Sequence, residues 1–287
     1  MERAEMRAIV ITGASKGIGR ACALRLDRAG FHVFAGVREP ADGEALRAEA
    51  SERLTPIRLD VTDDVAIAES ARTVAEAVGA AGLAGLVNNA GIAIAGPLEF
   101  LPTAELRRQL EVNVIGQLAV TRAFLPLLRR ARGRIVNMGS ISGLMALPFT
   151  GAYAASKHAL EAATDALRIE LAPWGIHVAI IEPGVIATPI WETSEAAANR
   201  IMEDYPAEAW EYYGGVIDLV RRSARHGAAR GLPPDEVAKA VEHALTARRP
   251  KTRYLVGSDA RIRALIRRLP DRLRDRLILS RLRRGVR

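Results

Sequence analysis

Short apolar runs alternate with longer helical patterns along most of the chain. The runs are rich in β-branched residues and lack polar alternation, which is typical of strands buried on both faces. Seven strands are predicted, at residues 8–12, 32–36, 56–60, 85–88, 134–138, 176–181 and 253–256. Helices are predicted between them, near residues 18–29, 41–53, 64–79, 103–130 and 153–172. The alternation predicts an α/β fold, a doubly wound parallel sheet of about seven strands with helices on both faces.

Two regions depart from this alternation. Residues 189–232 follow the sixth strand and hold five of the thirteen aromatic residues of the chain, namely Trp191, Tyr205, Trp210, Tyr212 and Tyr213. Long segments of this kind are usually lids or binding loops, so we predict a substrate lid here. In residues 260–287 the apolar positions follow helical spacing that Pro270 interrupts. This spacing predicts an amphipathic helical tail beyond a single domain at residues 1–259.

The net charge of +8 is concentrated in that tail. Residues 260–287 contain eleven arginines and two aspartates, a net charge of +9, so residues 1–259 carry −1. A nucleic-acid-binding protein carries its basic surface on the folded domain itself, and we therefore predict no nucleic-acid partner. Two interpretations of the tail stay open. It could lie on a membrane surface with its arginines against anionic headgroups, or it could pack on the body or on a neighbouring subunit.

Composition narrows the class of protein further. Apolar residues make up 49% of the chain and charged residues 26%, as in soluble globular proteins. No run of about eighteen apolar residues occurs, and the first residues lack the apolar core of a signal peptide, so we expect a cytoplasmic protein. The single cysteine, Cys22, is expected to pack in the core. Five scattered histidines lack ligand spacing, and no metal site is predicted.

The first predicted strand leads into a glycine-rich turn, Thr12-Gly-Ala-Ser-Lys-Gly-Ile-Gly19, that a helix follows. Glycines allow a sharp turn and a close approach of the backbone to a pyrophosphate, which the free N–H groups of the helix N-terminus would bind. We therefore predict that residues 1–259 form a Rossmann-type dinucleotide-binding and catalytic domain. The cofactor-binding residues predicted in this turn are Gly13, Ser15, Lys16, Gly17, Ile18 and Gly19.

Further cofactor contacts are predicted at the carboxyl ends of the third and fourth strands, where open α/β sheets bind ligands. Asp60 and Val61 close the third strand, and the fourth leads into Asn89, Ala90 and Gly91. Asp60 has two interpretations that the sequence leaves equal: a bond to adenine, or a cap on the helix that follows.

The end of the second strand predicts the choice of nicotinamide cofactor. An acidic residue there would bond the ribose 2′-hydroxyl, whereas an arginine accommodates a 2′-phosphate. Gly36 and Val37 offer no acid, Arg38 follows, and Ser15 and Lys16 add a hydroxyl and a positive charge. We therefore expect NADP(H) to be preferred over NAD(H).

Tyr153 and Lys157 lie four residues apart in a helical pattern, which places them on one face of the helix. A free tyrosine has a pKa near ~10, and a nearby cation favours the phenolate and lowers that pKa. The pair is therefore predicted to provide a general acid/base for catalysis.

Together these motifs resemble those of the short-chain dehydrogenase/reductase superfamily, over about residues 7–257. They occur in family order: the glycine-rich turn at 12–19, Asn-Asn-Ala-Gly at 88–91, Asn113, Ser140, Tyr-x-x-x-Lys at 153–157, and Pro183-Gly184 followed by Thr188. Residues 139–149 resemble the branch that contains hydroxysteroid and retinol dehydrogenases. The resemblance also implies a homo-oligomer.

The resemblance implies catalytic roles for four residues. Tyr153 would be the general acid/base, and Lys157 would lower its pKa and bind the nicotinamide ribose. Ser140 would hold the substrate oxygen, with Ser142 as the alternative. Asn113 would hold a water that joins Lys157 to solvent; its other interpretation is a helical residue that bonds backbone.

Three more residues are implied at the nicotinamide itself. Thr188 would bond the carboxamide, and the backbone around Pro183 and Gly184 would shape the nicotinamide pocket.

Charged residues are nearly absent from residues 141–153, which favours a lipophilic substrate. The predicted substrate-binding residues are Ser140, Leu144, Met145, Phe149, Tyr153 and Trp191. The predicted activity is hydride transfer between NADP(H) and a steroid-, retinoid- or long-chain-like alcohol or ketone. Two alternatives stay open: a reductase of ketoacyl groups on an acidic carrier protein, and a catalytically silent NADP-binding sensor or scaffold.

Overall fold

A computed structural model describes the backbone of residues 7–286. It describes the side chains of these residues except 223, 224, 226–228 and 281–286. The first six residues of the predicted catalytic domain and the last residue of the predicted tail lie outside the described residues, as does the side chain of His226.

Seven strands form one sheet in the order β3-β2-β1-β4-β5-β6-β7, with every neighbouring pair parallel. The strands are β1 (Ala8–Ile11), β2 (His32–Val37), β3 (Leu54–Arg58), β4 (Gly85–Asn88), β5 (Arg134–Met138), β6 (His177–Pro183) and β7 (Arg253–Val256). The order reverses between β1 and β4, and in such sheets ligands bind in the crevice at the carboxyl ends of these strands. The predicted fold class is confirmed.

Eleven α-helices lie within the described residues and cover both faces of the sheet. They are α1 (Gly17–Arg28), α2 (Pro40–Arg47), α3 (Asp64–Val78), α4 (Thr103–Leu110), α5 (Gly116–Ala131), α6 (Gly151–Glu170), α7 (Ile190–Glu203), α8 (Ala207–Arg230), α9 (Pro234–Thr246), α10 (Ser258–Ile266) and α11 (Asp271–Val286).

The alternation of side chains along β1 divides the core into two layers. Ile9 and Ile11 pack against α1 and α9 on one face of the sheet, together with Cys22. Ala8 and Val10 pack against α3 and α5 on the other face. A central parallel strand is covered on both faces, so the side chains that point to either face are apolar. This explains the continuous apolar run in the sequence.

Several element boundaries differ from the sequence prediction, and those of β3 and α2 have a clear physical reason. β3 begins two residues earlier than predicted and places Pro56 in an edge strand, where one side of the backbone needs no partner. α2 ends at Arg47 rather than near residue 53. The buried carboxylate of Asp27 accepts hydrogen bonds from the backbone N–H of Ser51, at 2.9 Å, and from its hydroxyl. These bonds hold the chain in a turn that leads into β3.

The helix predicted at 103–130 is divided in the structure. α4 and α5 are joined by a π-helical turn over Glu111–Ile115. Such turns are rare and frequently occur at functional sites. This one carries Asn113, which is fully buried.

The predicted lid and tail are both helical. The segment predicted as a lid consists of α7 and α8, and the chain returns to the body through a parallel bridge between Ile186 and Leu232. Its action as a lid stays a prediction. The tail consists of α10 and α11, which Pro270 separates as predicted. α10 packs against β7 and against the turn at Ile141–Gly143, while α11 packs against α8. These contacts support the interpretation in which the tail packs on the body. No helix among the described residues is long and apolar enough to cross a membrane.

Candidate active site

The glycine-rich turn between β1 and α1 requires glycine for its own geometry. Gly13 and Gly17 have φ of 64° and 57°, in the left-handed region that side chains disfavour. A Cβ at Gly19 would lie 2.1 Å from the carbonyl oxygen of Gly13, so this glycine lets α1 pack on the turn and does not line the cleft. Lys16 precedes α1 and makes no side-chain cap. The first N–H groups of α1 are therefore available to an anionic ligand.

A hydrogen-bonded latch joins this turn to the loop after β4. The Thr12 hydroxyl oxygen accepts bonds from the backbone N–H groups of Asn89 and Ala90, both at 2.9 Å. The Asn89 side-chain amide donates to the carbonyls of Thr12 and Gly13, both at 3.0 Å. The Asn89 side chain therefore stabilises the turn, and its contact with a cofactor stays a prediction.

One cleft, with a volume of about 1340 Å³, runs along the carboxyl edge of the sheet. Nearly all the predicted cofactor residues line it, and Ser140, Tyr153 and Lys157 line its inner part. The cofactor residues concerned are Gly13, Ser15, Lys16, Gly17, Ile18, Arg38, Asp60, Val61, Asn89, Ala90, Gly91, Pro183, Gly184 and Thr188. An uncapped helix N-terminus facing such a cleft fits the pyrophosphate of a dinucleotide.

The part of the cleft beside β2 is positively charged. Lys16 and Arg38 line it and are exposed, and neither forms a salt bridge with another described side chain. Asp60 lies nearby and accepts hydrogen bonds from the backbone N–H and the hydroxyl of Thr62, at 2.9 and 2.8 Å. The cap of α3 is Asp63, which accepts from Val65 and Ala66. The helix-cap interpretation of Asp60 is therefore wrong.

Three predicted catalytic residues meet at the inner part of the cleft. Ser140 begins the short turn after β5, while Tyr153 and Lys157 lie in the first turns of α6. The Ser140 hydroxyl accepts from the backbone N–H of Ser142, at 3.1 Å, and lies close enough to Tyr153 to influence its pKa. The Lys157 ammonium is buried and donates to the carbonyl of Met138, at 2.7 Å.

The electrostatics of this cluster differ from the sequence prediction. Burial raises the pKa of Tyr153, and the hydrogen bond from Ser140 lowers it in part. Burial also lowers the pKa of Lys157 to about 8, while the Glu161 carboxylate, one helical turn away, raises it. Lys157 was expected to lower the pKa of Tyr153. Its ammonium lies 5.8 Å from the centre of the Tyr153 ring and bonds a carbonyl. Burial is the largest cause of the shift in the Tyr153 pKa, and the effect of Lys157 on that pKa stays a prediction.

Asn113 belongs to a ladder of buried amides that sequence reasoning missed. Asn113 accepts from the N–H of Ile92 and donates to its carbonyl and to the Ser156 hydroxyl. Gln109 also bonds the loop after β4, at the carbonyl of Ile92 and the N–H of Ile94, and Gln117 donates to the carbonyl of Ala90. The sequence did contain a signal for this ladder: three residues with amide side chains occur at intervals of four, which places them on one face of a helix.

That ladder holds the loop at residues 90–94, every residue of which lines the cleft. Asn113 itself does not line the cleft. Its observed bonds fit the interpretation as a helical residue that bonds backbone, and its part in a proton relay stays a prediction.

The loop after β6 is held by the root of the tail. Asp259, in the first turn of α10, accepts a hydrogen bond from the N–H of Val185, at 2.9 Å. A Cβ at Gly184 would lie 2.2 Å from the Asp259 carboxylate oxygens, so this close approach needs glycine. Thr188 lies beside Gly17, across the cleft opening.

Only some of the predicted substrate-binding residues line the cleft. Met145 and Trp191 line the cleft, and the Trp191 indole N–H donates to the carbonyl of Ile186, at 2.7 Å. Leu144 instead borders a separate polar cavity against α11. Phe149 packs edge-on against Tyr213, at 5.7 Å between ring centres. Neither Leu144 nor Phe149 lines the cleft, because the loop at 141–150 turns their side chains away from it.

The other four aromatic residues of the predicted lid do not line the cleft. Tyr205 and Tyr213 pack with Phe100 at about 6.0 Å, while Trp210 and Tyr212 are exposed. The lid lines the cleft mainly with smaller or aliphatic side chains instead, among them Ile190, Ala198, Leu219 and Val220. Among the described residues, no group of three His, Cys, Asp or Glu side chains could hold a metal ion.

Comparison with known proteins identifies the family of this chain. The model of the short chain dehydrogenase family matches residues 7–199, more than half of the chain. This chain belongs to the short-chain dehydrogenase/reductase superfamily. Its relatives place it in the retinol dehydrogenase branch: mouse retinol dehydrogenase 5 is 42% identical over 260 residues, which cover 88% of this chain and 81% of that protein.

Two further similarities cover almost the whole of this short-chain dehydrogenase. The NADPH-dependent 3-dehydrocapnine reductase of Ornithobacterium rhinotracheale is 34% identical over 278 residues, which cover 95% of this chain and 96% of that protein. The crystal structure of a short-chain dehydrogenase from Streptomyces avermitilis has a TM-score of 0.77 and 29% identity, and the match covers 98% of each chain. The match therefore extends through the lid and tail.

Proposed function

We propose that this protein transfers a hydride between NADP(H) and a lipophilic alcohol or ketone of steroid-, retinoid- or long-chain-like character. One observation carries the proposal. One cleft joins an uncapped helix N-terminus and two cations to the hydroxyls of Ser140 and Tyr153, and its lining is largely apolar. Retinol dehydrogenases among the relatives support the substrate class.

When bound, the nicotinamide cofactor supplies or accepts the hydride. The protein's own residues handle the oxygen and the proton. Negative charge develops on the carbonyl oxygen during reduction, and donors preorganised around that atom stabilise it. Ser140 and Tyr153 are the two hydroxyl donors, and Tyr153 gives up its proton to the oxygen. The Lys157 ammonium, fixed by the Met138 carbonyl, stabilises the phenolate that results. For alcohol oxidation each of these steps runs in reverse.

The test of the reaction is a spectrophotometric assay at 340 nm (the nicotinamide band) with matched panels of lipophilic and polar ketones. We expect NADPH oxidation with the lipophilic panel and little with sugars or keto acids. Activity restricted to ketoacyl groups on a carrier protein would move the assignment to the carrier reductase. A complete lack of turnover across all panels, with NADPH still bound, would make the protein a sensor.

The preference for NADP(H) rests on Lys16 and Arg38, which line the cleft without a salt-bridge partner among the described side chains. The relative from Ornithobacterium rhinotracheale is also named as NADPH-dependent. We expect the KM for NADPH to lie at least about tenfold below that for NADH, because charge-assisted bonds to a 2′-phosphate contribute ~1.5–3 kcal/mol.

Arg38→Asp should reduce that preference about tenfold or more. Arg47→Asp is a matched control, because Arg47 is exposed at the end of α2 and does not line the cleft. A wild-type preference for NADH would reverse the cofactor assignment.

We further propose that the protein works in the cytoplasm as a homo-oligomer, with the tail packed on the body. Light scattering of the purified protein measures its oligomeric state. Sedimentation with anionic vesicles tests peripheral membrane contact, which the exposed leucines and arginines of α10 and α11 leave open as a second role.

A further inference from the structure

The tail borders the same cleft as the catalytic residues. Ile262 and Ile266 of α10 line it, as do Leu277 and Ile278 of α11. All four side chains are aliphatic; Ile262 and Leu277 are exposed, while Ile266 and Ile278 are half-buried. Apolar surface that stays accessible inside a cleft gains free energy when an apolar ligand covers it.

The tail helices are held in place by contacts with the catalytic body. α10 is anchored at Asp259, which bonds the N–H of Val185 in the loop that closes the nicotinamide end of the cleft. α10 also packs against the turn that begins at Ser140. α11 packs against the lid helix α8, whose Leu219 and Val220 line the same cleft. The tail and lid therefore form neighbouring walls of one chamber.

The charged residues of α8 and the tail that line this cleft are engaged within the protein. Arg221 bonds Asn199 at 2.7 Å and lies 3.6 Å from an oxygen of Asp218. Asp259 is bonded to Val185. Arg263 has an interaction of its own within the chain. The surface left to a ligand at the tail is therefore mainly that of the four aliphatic side chains.

We propose that α10 and α11 are a specificity-determining wall, which holds the apolar end of a long or bulky substrate while Ser140 and Tyr153 hold its reacting oxygen. This proposal deepens the proposed function and rests on it for the reaction. It assigns the basic tail a role in substrate binding, which the sequence motifs of the catalytic residues do not indicate. Short ketones would leave this wall untouched.

The test uses the full chain and two pairs of variants. Ile266→Trp and Ile278→Trp fill the chamber, because both positions line it. Leu265→Trp and Leu279→Trp are the matched controls: they add the same side chain to the same helices at positions that are 63% and 47% exposed and lie outside the chamber. Each variant is assayed with NADPH and a series of 2-ketones from 2-butanone to 2-dodecanone.

We expect Ile266→Trp and Ile278→Trp to lower kcat/KM for 2-dodecanone at least tenfold and to leave 2-butanone within about twofold. The dissociation constant of NADPH and both control variants should stay within about twofold of wild type. Equal loss for short and long ketones would overturn the proposal, since that pattern reports general damage to the site. An unchanged chain-length profile in both chamber variants would overturn it as well.

A binding measurement separates this proposal from the proposed reaction. Displacement of a fluorescent fatty-acid probe by 1-dodecanol reports occupancy of the chamber without turnover. If no ketone is reduced but 1-dodecanol binds, and Ile266→Trp weakens that binding while Leu265→Trp does not, the wall is supported and the reaction fails. If 1-dodecanol binds wild type and all four variants alike, the wall is rejected whatever the reaction.

Discussion

At the residue scale, the proposed chemistry depends on the pKa values of Tyr153 and Lys157, which burial and neighbouring groups determine. Tyr153 is kept protonated by its surroundings, which suits a proton donor to a carbonyl oxygen. The pKa of the Lys157 ammonium is lowered to about 8, because burial disfavours its charge more than the Glu161 carboxylate favours it. The two shifts are opposite in direction and have the same main cause, since desolvation disfavours the charged form of each group.

Tyr153→Phe removes the proton donor and keeps the ring. We expect kcat to fall by at least about a hundredfold, the usual scale of general acid–base catalysis, with the dissociation constant of NADPH little changed. Steady-state kinetics and fluorescence titration measure the two quantities. Tyr212→Phe is the control, because Tyr212 is 62% exposed on the lid. Near-normal turnover in Tyr153→Phe would assign the proton transfer to another group.

The pKa of Lys157 predicts how activity depends on pH. The ammonium predominates below about pH 8 and is lost above it, so kcat/KM for NADPH, which reports the free enzyme, should fall as pH rises past about 8. Glu161→Gln removes a carboxylate that raises this pKa, and the fall should begin at lower pH. Glu170→Gln, at the exposed end of α6, is the control. A profile that Glu161→Gln does not move would show that Lys157 does not govern this limb.

At the element scale, the site depends on how closely α1 approaches the glycine-rich turn and on how firmly the loop after β4 is held. Gly19 brings α1 onto the turn, and the Thr12–Asn89 latch joins the turn to that loop. The amides of α4, the π-helical turn and α5 hold the loop from its other side. Backbone groups that bind a ligand are positioned by such local contacts.

Gly19→Ala tests this packing. The added methyl group would lie 2.1 Å from the Gly13 oxygen and 2.5 Å from the Asn89 amide nitrogen. We expect the free energy of unfolding to fall by about 1–3 kcal/mol, the usual cost of overpacking, and the affinity for NADPH to fall at least about tenfold. Urea denaturation and titration measure these changes.

Gly214→Ala is the matched control within the helix α8. The nearest atom to its new methyl group is Trp210 Cε3, at 4.0 Å. Since alanine favours a helix over glycine by about 1 kcal/mol, we expect unchanged or slightly higher stability and unchanged NADPH affinity. Equal effects of the two substitutions would argue against a special role for the approach at Gly19.

At the scale of the whole molecule, the sheet brings together charged groups from distant parts of the chain. Arg253 of β7 bonds Glu182 of β6 at 3.0 Å, Asp165 of α6 at 2.8 Å, and Glu161 of α6. Burial and the neighbouring Glu161 carboxylate raise the pKa of Glu182 to about 7, although Arg253 lowers it in part. Glu182 lies directly before the loop at residues 183–188, most of which lines the cleft.

Glu182 therefore links global stability to pH. Its pKa in the folded protein exceeds its ordinary value, so the folded form binds this proton more tightly than the unfolded form. The resulting stabilisation is complete below the ordinary pKa and is lost as pH rises through about 7. Between pH 5 and pH 8, we expect Glu182→Gln to lose less unfolding free energy than wild type, by on the order of 1–3 kcal/mol.

Urea denaturation at several pH values measures that difference. Glu99→Gln serves as the control, since Glu99 is a surface carboxylate that bonds the hydroxyl of Tyr213. If wild type and Glu182→Gln show the same pH dependence, Glu182 is ionised over the whole range and Arg253 dominates its environment.

The sequence by itself determined the fold class, the positions of the seven strands and the series of motifs along the cleft. These features depend on local patterns: apolar runs, a turn that needs glycine, and two residues spaced by one helical turn. Such patterns are visible because residues close in the chain are also close in the element they form. The helical tail with its break at Pro270 was predictable for the same reason.

Only the tertiary structure decided what the side chains face. Phe149 packs against Tyr213 of α8 and Leu144 borders a separate cavity, while Ile266 and Ile278 of the tail reach the cleft that Tyr153 lines. The direction of the Tyr153 pKa shift was likewise decided by burial, which depends on every neighbouring element and not on the spacing to Lys157. Contacts between residues more than a hundred positions apart leave no local pattern, because the packing of whole helices on the sheet creates them.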